Sequence, residues 1–171
     1  MKGLDLRVVT RGGLALALAV VLSFIKIWQM PQGGSVTLLS MLPVVYFAYT
    51  EGFLPGVLVG VLYGLLQYLI EPYFVHPVQF LLDYPVAFGA LGLAGLFAKK
   101  SPYPGVVLAI AGRFLAHLIS GAVFFASYAP EGQNPWVYSA IYNGSYLLPE
   151  LILTLGAVYF LKIFERLRKV T

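Results

Sequence analysis

The sequence predicts an all-α integral membrane protein with six transmembrane helices, and three observations support this fold class. Of the 171 residues, 60% are hydrophobic and only 11% are charged, which is not the composition of a soluble domain. The apolar residues fall into six runs, most of them near the roughly 20 residues that cross a bilayer as a helix. Basic residues flank these runs. We therefore expect a single membrane domain over residues 1–171.

Six spans are predicted along the chain, each from an unbroken apolar run. They are Val8–Ile27, Val36–Tyr49, Phe53–Ile70, Gln79–Ala98, Pro104–Ala126 and Trp136–Ile163. The first lacks a small-residue cleavage site and is followed by further spans, so we expect it to be a retained helix. The second is short, and we expect it to be tilted, broken or sheltered by the preceding loop. The sixth contains Pro149, which should kink it.

The distribution of Lys and Arg predicts the orientation of these spans. With six spans, nine of the eleven basic residues fall on one side of the membrane: Lys2, Arg7, Arg11, Lys99, Lys100, Lys162, Arg166, Arg168 and Lys169. Basic residues concentrate on the cytoplasmic side of membrane proteins. Both termini are therefore expected in the cytoplasm, and the net charge of +4 reflects topology rather than nucleic-acid binding.

Ionisable residues inside the predicted spans indicate a ligand pocket. Asp83 lies in span four, where a carboxylate costs about 2.5–3.5 kcal/mol unless it has a partner or a function. Arg113 and His117 are four residues apart, so they share one face of span five. Asn143 and many aromatic residues lie at the same outer level. A salt bridge between helices or a helix-entry cap would also explain Asp83, and interfacial anchoring would explain part of the aromatic residues.

Several functional classes lack their sequence signature. The chain has no cysteine, and its two histidines, His76 and His117, have no close carboxylate spacing, so no metal site is expected. It has no phosphate-binding GxxxxGK[ST] loop and no GxSxG nucleophile motif. We therefore expect neither ATP binding through such a phosphate-binding loop nor enzymatic activity.

Small residues recur every fourth position on three spans, which lets helices approach closely. Ala15 and Ala19 form such a pair on span one. Gly56, Gly60 and Gly64 form a stripe on span three, and a further stripe lies on span four. Most of these positions should pack inside the bundle, and one stripe is expected to face a partner protein.

Four segments together resemble one known family over nearly the whole chain. They are LSFIKIWQMPQGGSVTLLSMLP at 22–43, EPYFVHPVQFLLDYPVAFGALGLAG at 71–95, GRFLAHLISGAVFFASYAPEG at 112–132 and YNGSYLLPE at 142–150. The chain resembles the thiamin-specific substrate-binding subunit, or S component, of energy-coupling factor vitamin transporters. The resemblance implies a six-helix membrane fold with thiamin bound near the outer face and no cofactor. It also implies a transmembrane coupling protein and two ATPase subunits as partners.

The resemblance also implies which residues bind thiamin. The family's acidic contact corresponds to Asp83, and Phe125 stands where the family can have a stacking tryptophan, a role that Trp136 could also fill. The implied ligand-binding set is Trp28, Asp83, Tyr84, Arg113, His117, Gly121, Phe125, Trp136, Tyr138, Tyr142 and Asn143. The segment from Trp28 to Gly34 is implied to cover the pocket. Ala15 and Ala19 are implied to dock the coupling protein.

Thiamin suits these residue types, because aromatic faces attract its permanent thiazolium cation and one carboxylate can neutralise it. Arg113 is then expected to pair with Glu150 or Asp83, or to contact the hydroxyl end of the ligand. Two alternatives remain open. The chain could be an S component for another vitamin, or a structural membrane protein in which Asp83 and His117 only bridge helices.

Overall fold

The computed structural model describes residues 5–98 and 100–161, which contain six helices, a short 3-10 turn (Ala126–Tyr128) and one two-stranded hairpin. The elements are α1 (Leu6–Ser23), β1 (Lys26–Gln29), β2 (Ser35–Thr37), α2 (Leu42–Glu51), α3 (Phe53–Ile70), α4 (Pro77–Phe97), α5 (Pro102–Phe124) and α6 (Pro135–Leu161). By length and composition, α1, α3, α4 and α5 could each cross a membrane. The predominantly helical membrane fold is thus confirmed.

The first predicted span ends earlier than expected, because its last residues form a strand. Helix α1 begins at its N-cap Asp5, whose side chain accepts a hydrogen bond from the Arg7 amide at 3.0 Å, and it ends at Ser23. Strand β1 then pairs antiparallel with β2, so the fold is not purely α-helical. An apolar run of this length does not reveal by periodicity where a helix gives way to a strand.

The second predicted span also begins later than expected, because Val36 belongs to β2. Val36 pairs with Trp28 across the hairpin, and Leu39 adopts a positive φ of 62° between the strand and the helix. A β-branched or bulky residue rarely takes this left-handed conformation, which interrupts regular structure. The resulting helix α2 has ten residues, and most of them are buried within the bundle.

The other predicted boundaries agree closely with the helices. Helix α3 has the predicted bounds, and α4 and α5 each begin two residues earlier than predicted. Helix α6 is described to residue 161, so the predicted end at Ile163 lies outside the described residues. The same holds for six of the basic residues that predict the orientation: Lys2, Lys99, Lys162, Arg166, Arg168 and Lys169.

The glycine stripe of α3 packs inside the subunit against the backbone of α4. A Cβ atom added at Gly60 or Gly64 would collide with the carbonyl groups of Phe88 or Tyr84. Only glycine permits this close approach of two helices. The approach brings the polar part of α4 next to α3, so this stripe positions the residues of the cavity described below.

Ala15 and Ala19, which are predicted to dock a coupling protein, are buried in the bundle of the described chain. They are 8% and 0% exposed, and both belong to the hydrophobic core. The Tyr63 hydroxyl donates to the Ala19 carbonyl at 3.3 Å. Their small size therefore serves internal packing. The outward face of α1 instead contains Gly13 and Ala17, which are both exposed.

Candidate ligand-binding site

A cavity of about 640 Å³ lies between the helices and extends to the turn of the hairpin. This volume lies within the range that small-molecule sites occupy. Helices α4, α5 and α6 form its polar walls, and the segments 31–35 and 71–73 border it. Nine predicted site residues line it: Asp83, Tyr84, Arg113, His117, Gly121, Phe125, Tyr138, Tyr142 and Asn143.

Asp83 is the centre of a hydrogen-bond network that joins α4 and α5. Its Oδ2 atom accepts from Gln79 Nε2 and from Ser120 Oγ, both at 2.8 Å, and its Oδ1 atom contacts His117 Nδ1 at 3.0 Å. The side chain is 17% exposed. Three donors thus hold the Asp83 carboxylate in place on the wall of the cavity.

The contacts of His117 determine its tautomer. Arg113 Nε donates to His117 Nε2 at 3.3 Å. Because an arginine nitrogen can only donate, His117 Nε2 has no proton, and the single ring proton lies on Nδ1. Nδ1 therefore donates to Asp83, and the imidazole is neutral. All three hydrogen-bond donors to Asp83 are consequently uncharged, so its charge has no cationic partner in the described part of the chain.

Arg113 also lines the cavity and makes two contacts. Besides the hydrogen bond to His117, its guanidinium lies over the ring of Phe88, 4.1 Å from the centroid. A cation over an aromatic face is attracted by the ring quadrupole. The expected ion pair with Glu150 or Asp83 is not present among the described residues, because this ring contact and His117 hold the guanidinium in place.

Tyr84 connects the wall of the cavity to the loop after α3. Its hydroxyl donates to the Glu71 carbonyl at 3.1 Å and accepts from the Tyr73 amide at 3.2 Å. Gln79 reinforces this connection, since its Oε1 atom accepts from the Val75 amide at 3.0 Å while its Nε2 atom reaches Asp83. The loop and the carboxylate are therefore positioned together.

Asn143 is nearly buried, and its amide is engaged within the protein. Its Nδ2 atom donates to the Ser139 carbonyl at 2.9 Å and to the His117 carbonyl at 3.3 Å, and its Oδ1 atom accepts from Tyr146 at 2.7 Å. Gly121 lies opposite, where a Cβ atom would collide with Ser139 Oγ. This contact is possible because Gly121 has no side chain. The group thus fixes α5 against α6 at the level of the cavity.

The hairpin closes one side of the cavity through a contact with α6. The Gly34 amide donates to the Tyr142 hydroxyl at 3.1 Å, and Tyr142 stacks on Tyr138 with ring centroids 6.3 Å apart. The hydroxyl of Tyr138 has no hydrogen bond among the described residues, so it can serve a ligand. The predicted covering segment therefore borders the cavity through its glycine turn.

Two side-chain pairs cross the mouth of the cavity. Lys26 forms an ion pair with Glu71, and the hydroxyls of Tyr73 and Tyr128 lie 3.0 Å apart. The hydrogen bond with Tyr128 raises the pKa of the Tyr73 phenol. The ring of Phe125 stacks on Tyr128, with centroids 6.0 Å apart, and lies tilted against Tyr73, with centroids 5.6 Å apart. The mouth is therefore lined mainly by aromatic rings.

Comparison with known proteins identifies the family. The family model described as "Thiamine transporter protein" matches residues 9–169. The chain belongs to this thiamine transporter family. A protein named thiamine transporter ThiT from Bacillus subtilis is 40% identical over 155 residues, covering 80% of each chain. A second ThiT, from Lacticaseibacillus paracasei, is 31% identical over 137 residues, covering 69% of this chain and 68% of its own length.

A solved structure of a similar protein supports the fold. The structure titled as ThiT from Listeria monocytogenes superposes with a TM-score of 0.78 at 24% identity. The match covers 93% of this chain and 97% of the other. At this identity the likeness shows the fold alone.

Two residues that the family resemblance implies as ligand contacts lie outside the cavity. Trp28 on β1 is 66% exposed and Trp136 at the start of α6 is 49% exposed, and neither lines the cavity. In an antiparallel hairpin successive side chains alternate between faces, and the strand turns Trp28 outward. Contact of these two tryptophans with a ligand stays a prediction, whereas Phe125 lines the cavity.

Several polar residues of the site were missing from the predicted set, although the spacing of three of them contains a signal. Gln79 precedes Asp83 by one turn, Ser120 follows His117 by three residues, and Ser139 precedes Asn143 by one turn. Helical neighbours at these spacings lie on one face. Glu150, at the inner end of the cavity, is 2% exposed and accepts hydrogen bonds from Thr37.

Proposed function

We propose that this chain binds thiamin in the described cavity and serves as the substrate-binding subunit of an energy-coupling factor transporter. One observation carries the proposal: the Asp83 carboxylate faces a cavity that aromatic rings border. Its hydrogen-bond donors are all uncharged, so its charge is available to a cationic ligand. Membership in the thiamine transporter family and the names of the two relatives support the same ligand. The proposed role is transport rather than catalysis, and it requires no cofactor.

The chemistry of the cavity complements the parts of thiamin. Its thiazolium is a permanent cation, which an unpaired carboxylate and aromatic faces such as Phe125 attract. Its aminopyrimidine offers donors and acceptors to polar groups such as the Tyr138 hydroxyl. Buried polar groups left without partners would reject analogues that lack these atoms. We propose that Asn143 and His117 act chiefly by holding Asp83 and the wall in position.

We further propose that the chain crosses the membrane six times, with both termini in the cytoplasm and the cavity open to the outside. The basic residues of the sequence support this orientation, since Arg7 and Arg11 lie in the first turns of α1, at the opposite end from the hairpin. The cavity, which borders the hairpin, would then face outward. This arrangement suits uptake of an external ligand.

The proposed partners are a transmembrane coupling protein and two ATPase subunits, which would use ATP. With Ala15 and Ala19 buried, we propose that the exposed face of α1 around Gly13 and Ala17 docks the coupling protein. A Cβ atom at Gly13 would meet no atom within 4 Å, so another helix could approach there. Ala17→Arg should leave thiamin binding intact and abolish co-purification with the coupling protein. Normal assembly of this variant would refute the docking face.

Calorimetric titration of the purified protein tests the ligand. Thiamin should bind saturably with one site per chain, and other vitamins of similar size that lack a cationic ring should bind far more weakly. Tight binding of a different vitamin would assign the chain to another substrate. A folded protein that binds none of them would favour a structural role, in which Asp83 and His117 only join helices.

A further inference from the structure

The hairpin turns an apolar face away from the helix bundle. Five large apolar side chains in its strands and next to them are 41–66% exposed, and together they form the outer hairpin face: Phe24, Ile25, Ile27, Trp28 and Leu38. They are neighbours along the chain or across the hairpin, since the Leu38 amide donates to the Ile25 carbonyl at 3.0 Å. An exposed apolar patch of this kind marks a surface that binds a protein or a membrane.

A bulge in β1 produces this outer face. Lys26 pairs with Thr37 and Trp28 pairs with Val36, so two steps along β1 oppose a single step along β2 and Ile27 is the extra residue. A bulge changes the direction of the side chains around it. Ile27 and Trp28 are consequently both exposed, whereas Val36 and Thr37 on the facing strand are buried against the bundle. The hairpin therefore has one face on the protein and one apolar face outside.

The outer hairpin face continues an exposed stripe of α1. Leu18, Val21 and Ile25 follow one another at spacings of three and four residues, so they share one side of the helix, and all three are exposed. Phe24 keeps helical backbone angles, with φ of −73° and ψ of −18°, so the stripe runs on into the start of the hairpin. Helix α1 is long and apolar enough to cross a membrane. The stripe is therefore a surface that α1 turns toward lipid.

The chemistry of the hairpin fixes the depth at which lipid can cover it. The open edges of a two-stranded hairpin carry backbone groups that need hydrogen-bond partners, so it cannot enter the hydrocarbon core. Tryptophan prefers the boundary between acyl chains and head groups, where its ring is apolar and its N–H is solvated. The indole N–H of Trp28 has no hydrogen bond among the described residues. The ion pair of Lys26 with Glu71 lies at the mouth of the cavity, which is the polar side of the hairpin.

We propose that the outer hairpin face binds the lipid bilayer itself and lies in the interface of the outer leaflet, with Trp28 as its anchor. The hairpin is then held between two partners. On its inner side the Gly34 amide donates to the Tyr142 hydroxyl of α6, and on its outer side the apolar residues contact lipid. This inference rests on the proposed crossing of the membrane and on its orientation, and it is independent of the identity of the ligand.

Tryptophan fluorescence measures the depth directly, because the chain contains only two tryptophans, Trp28 and Trp136. The Trp136→Phe variant leaves Trp28 as its single indole. The full-length variant is reconstituted without thiamin into phosphatidylcholine vesicles whose acyl chains carry bromine either near the glycerol end or near the methyl end. Bromine near the glycerol end should quench Trp28 more strongly than bromine near the methyl end. Iodide on both sides of the membrane should quench it weakly.

Two reference positions calibrate this measurement in the variant that lacks both Trp28 and Trp136. Leu62→Trp places an indole on the exposed side of α3 within the span, where bromine near the methyl end should quench it more. Glu131→Trp places one in the exposed segment between α5 and α6, where iodide should quench it. If Trp136→Phe does not fold, Ile27→Cys in this cysteine-free chain can carry a fluorophore, which should show the same order of quenching as Trp28.

Three results would overturn the inference. Quenching of Trp28 by iodide as strongly as at position 131, without an effect of bromine, would place the outer hairpin face in water and leave it to a protein partner. Quenching that matches position 62 would place the face in the hydrocarbon core. Loss of bromine quenching when thiamin is added would show that Trp28 turns to the ligand. Because the depth is first measured without thiamin, a parent protein that does not bind thiamin would refute the proposed ligand and leave the lipid contact standing.

Discussion

Replacing Asp83 with asparagine should weaken thiamin binding with little change in the shape of the cavity. The carboxylate accepts three hydrogen bonds, from Gln79, His117 and Ser120. Asparagine retains one acceptor oxygen, which His117 can still reach. Its amide nitrogen would face Ser120 Oγ, which can rotate to accept. The main loss is therefore the negative charge next to the proposed position of the thiazolium.

The magnitude follows from that charge. Two unit charges 4 Å apart attract by about 4 kcal/mol at an effective dielectric constant near 20. An asparagine side chain costs less to desolvate on ligand binding than a carboxylate does. This saving offsets part of the attraction that the variant loses. We therefore expect affinity to fall at least tenfold, about 1.4 kcal/mol. One hydrogen bond to Gln79 is also lost, which should lower the stability of the fold by about 1–3 kcal/mol.

Calorimetry on detergent-solubilised protein measures the affinity, and thermal unfolding of the same samples measures the stability. Ser120→Ala is the matched control, because it removes one donor to Asp83 and keeps the charge. It should weaken binding by less than Asp83→Asn. Asp83→Asn binding thiamin as tightly as the parent, in a folded sample, would refute the assignment of Asp83. A greater loss in Ser120→Ala would show that hydrogen bonding rather than charge governs the site.

Three further predictions test the topology, the packing of α1 and the shape of the cavity. Single cysteines introduced at Lys100 and at Glu131 of this cysteine-free chain should lie on opposite sides of the membrane. A membrane-impermeant thiol reagent on intact cells should therefore label only position 131. Labelling of position 100 alone would show that the orientation is the reverse of the proposed one. Joint replacement of Ala15 and Ala19 by arginine should abolish folding and thiamin binding together, since both are buried, and a folded variant that binds thiamin would contradict their internal packing. Gly121→Val should reduce affinity at least tenfold, because its side chain would collide with Ser139, and calorimetry showing parental affinity would mean that α5 and α6 can separate there.

Helix periodicity and charge were sufficient to predict most of the bundle and the residues that line the candidate cavity. A carboxylate inside an apolar span is costly without a partner or a function, so the sequence alone predicts that Asp83 faces a cavity, and Asp83 does line one in the structure. The one-turn spacing of Arg113 and His117 likewise predicted that they share a face, and the structure joins them by a hydrogen bond. These inferences succeeded because they depend on local geometry within one helix.

Contacts between distant segments could not be inferred in the same way. The sequence offers no signal that Thr37, rather than Arg113, would reach Glu150, because that contact depends on how the hairpin folds over α6. The small-residue stripe on α1 was equally ambiguous. Spacing showed that Ala15 and Ala19 share a face, whereas only the neighbouring helices determine whether that face is inside or outside.

The irregular part of α4 explains why the site lies where it does. Between Leu82 and Val86 the helix widens to a π turn, in which the Ala87 amide donates to the Leu82 carbonyl five residues earlier. Pro85 favours this change, because it has no amide hydrogen for a regular helical bond. Such turns recur at functional sites, since they reorient side chains without ending a helix. Here the turn contains both Asp83 and Tyr84, so the same irregularity that the proline imposes presents a charge and an aromatic ring to one cavity.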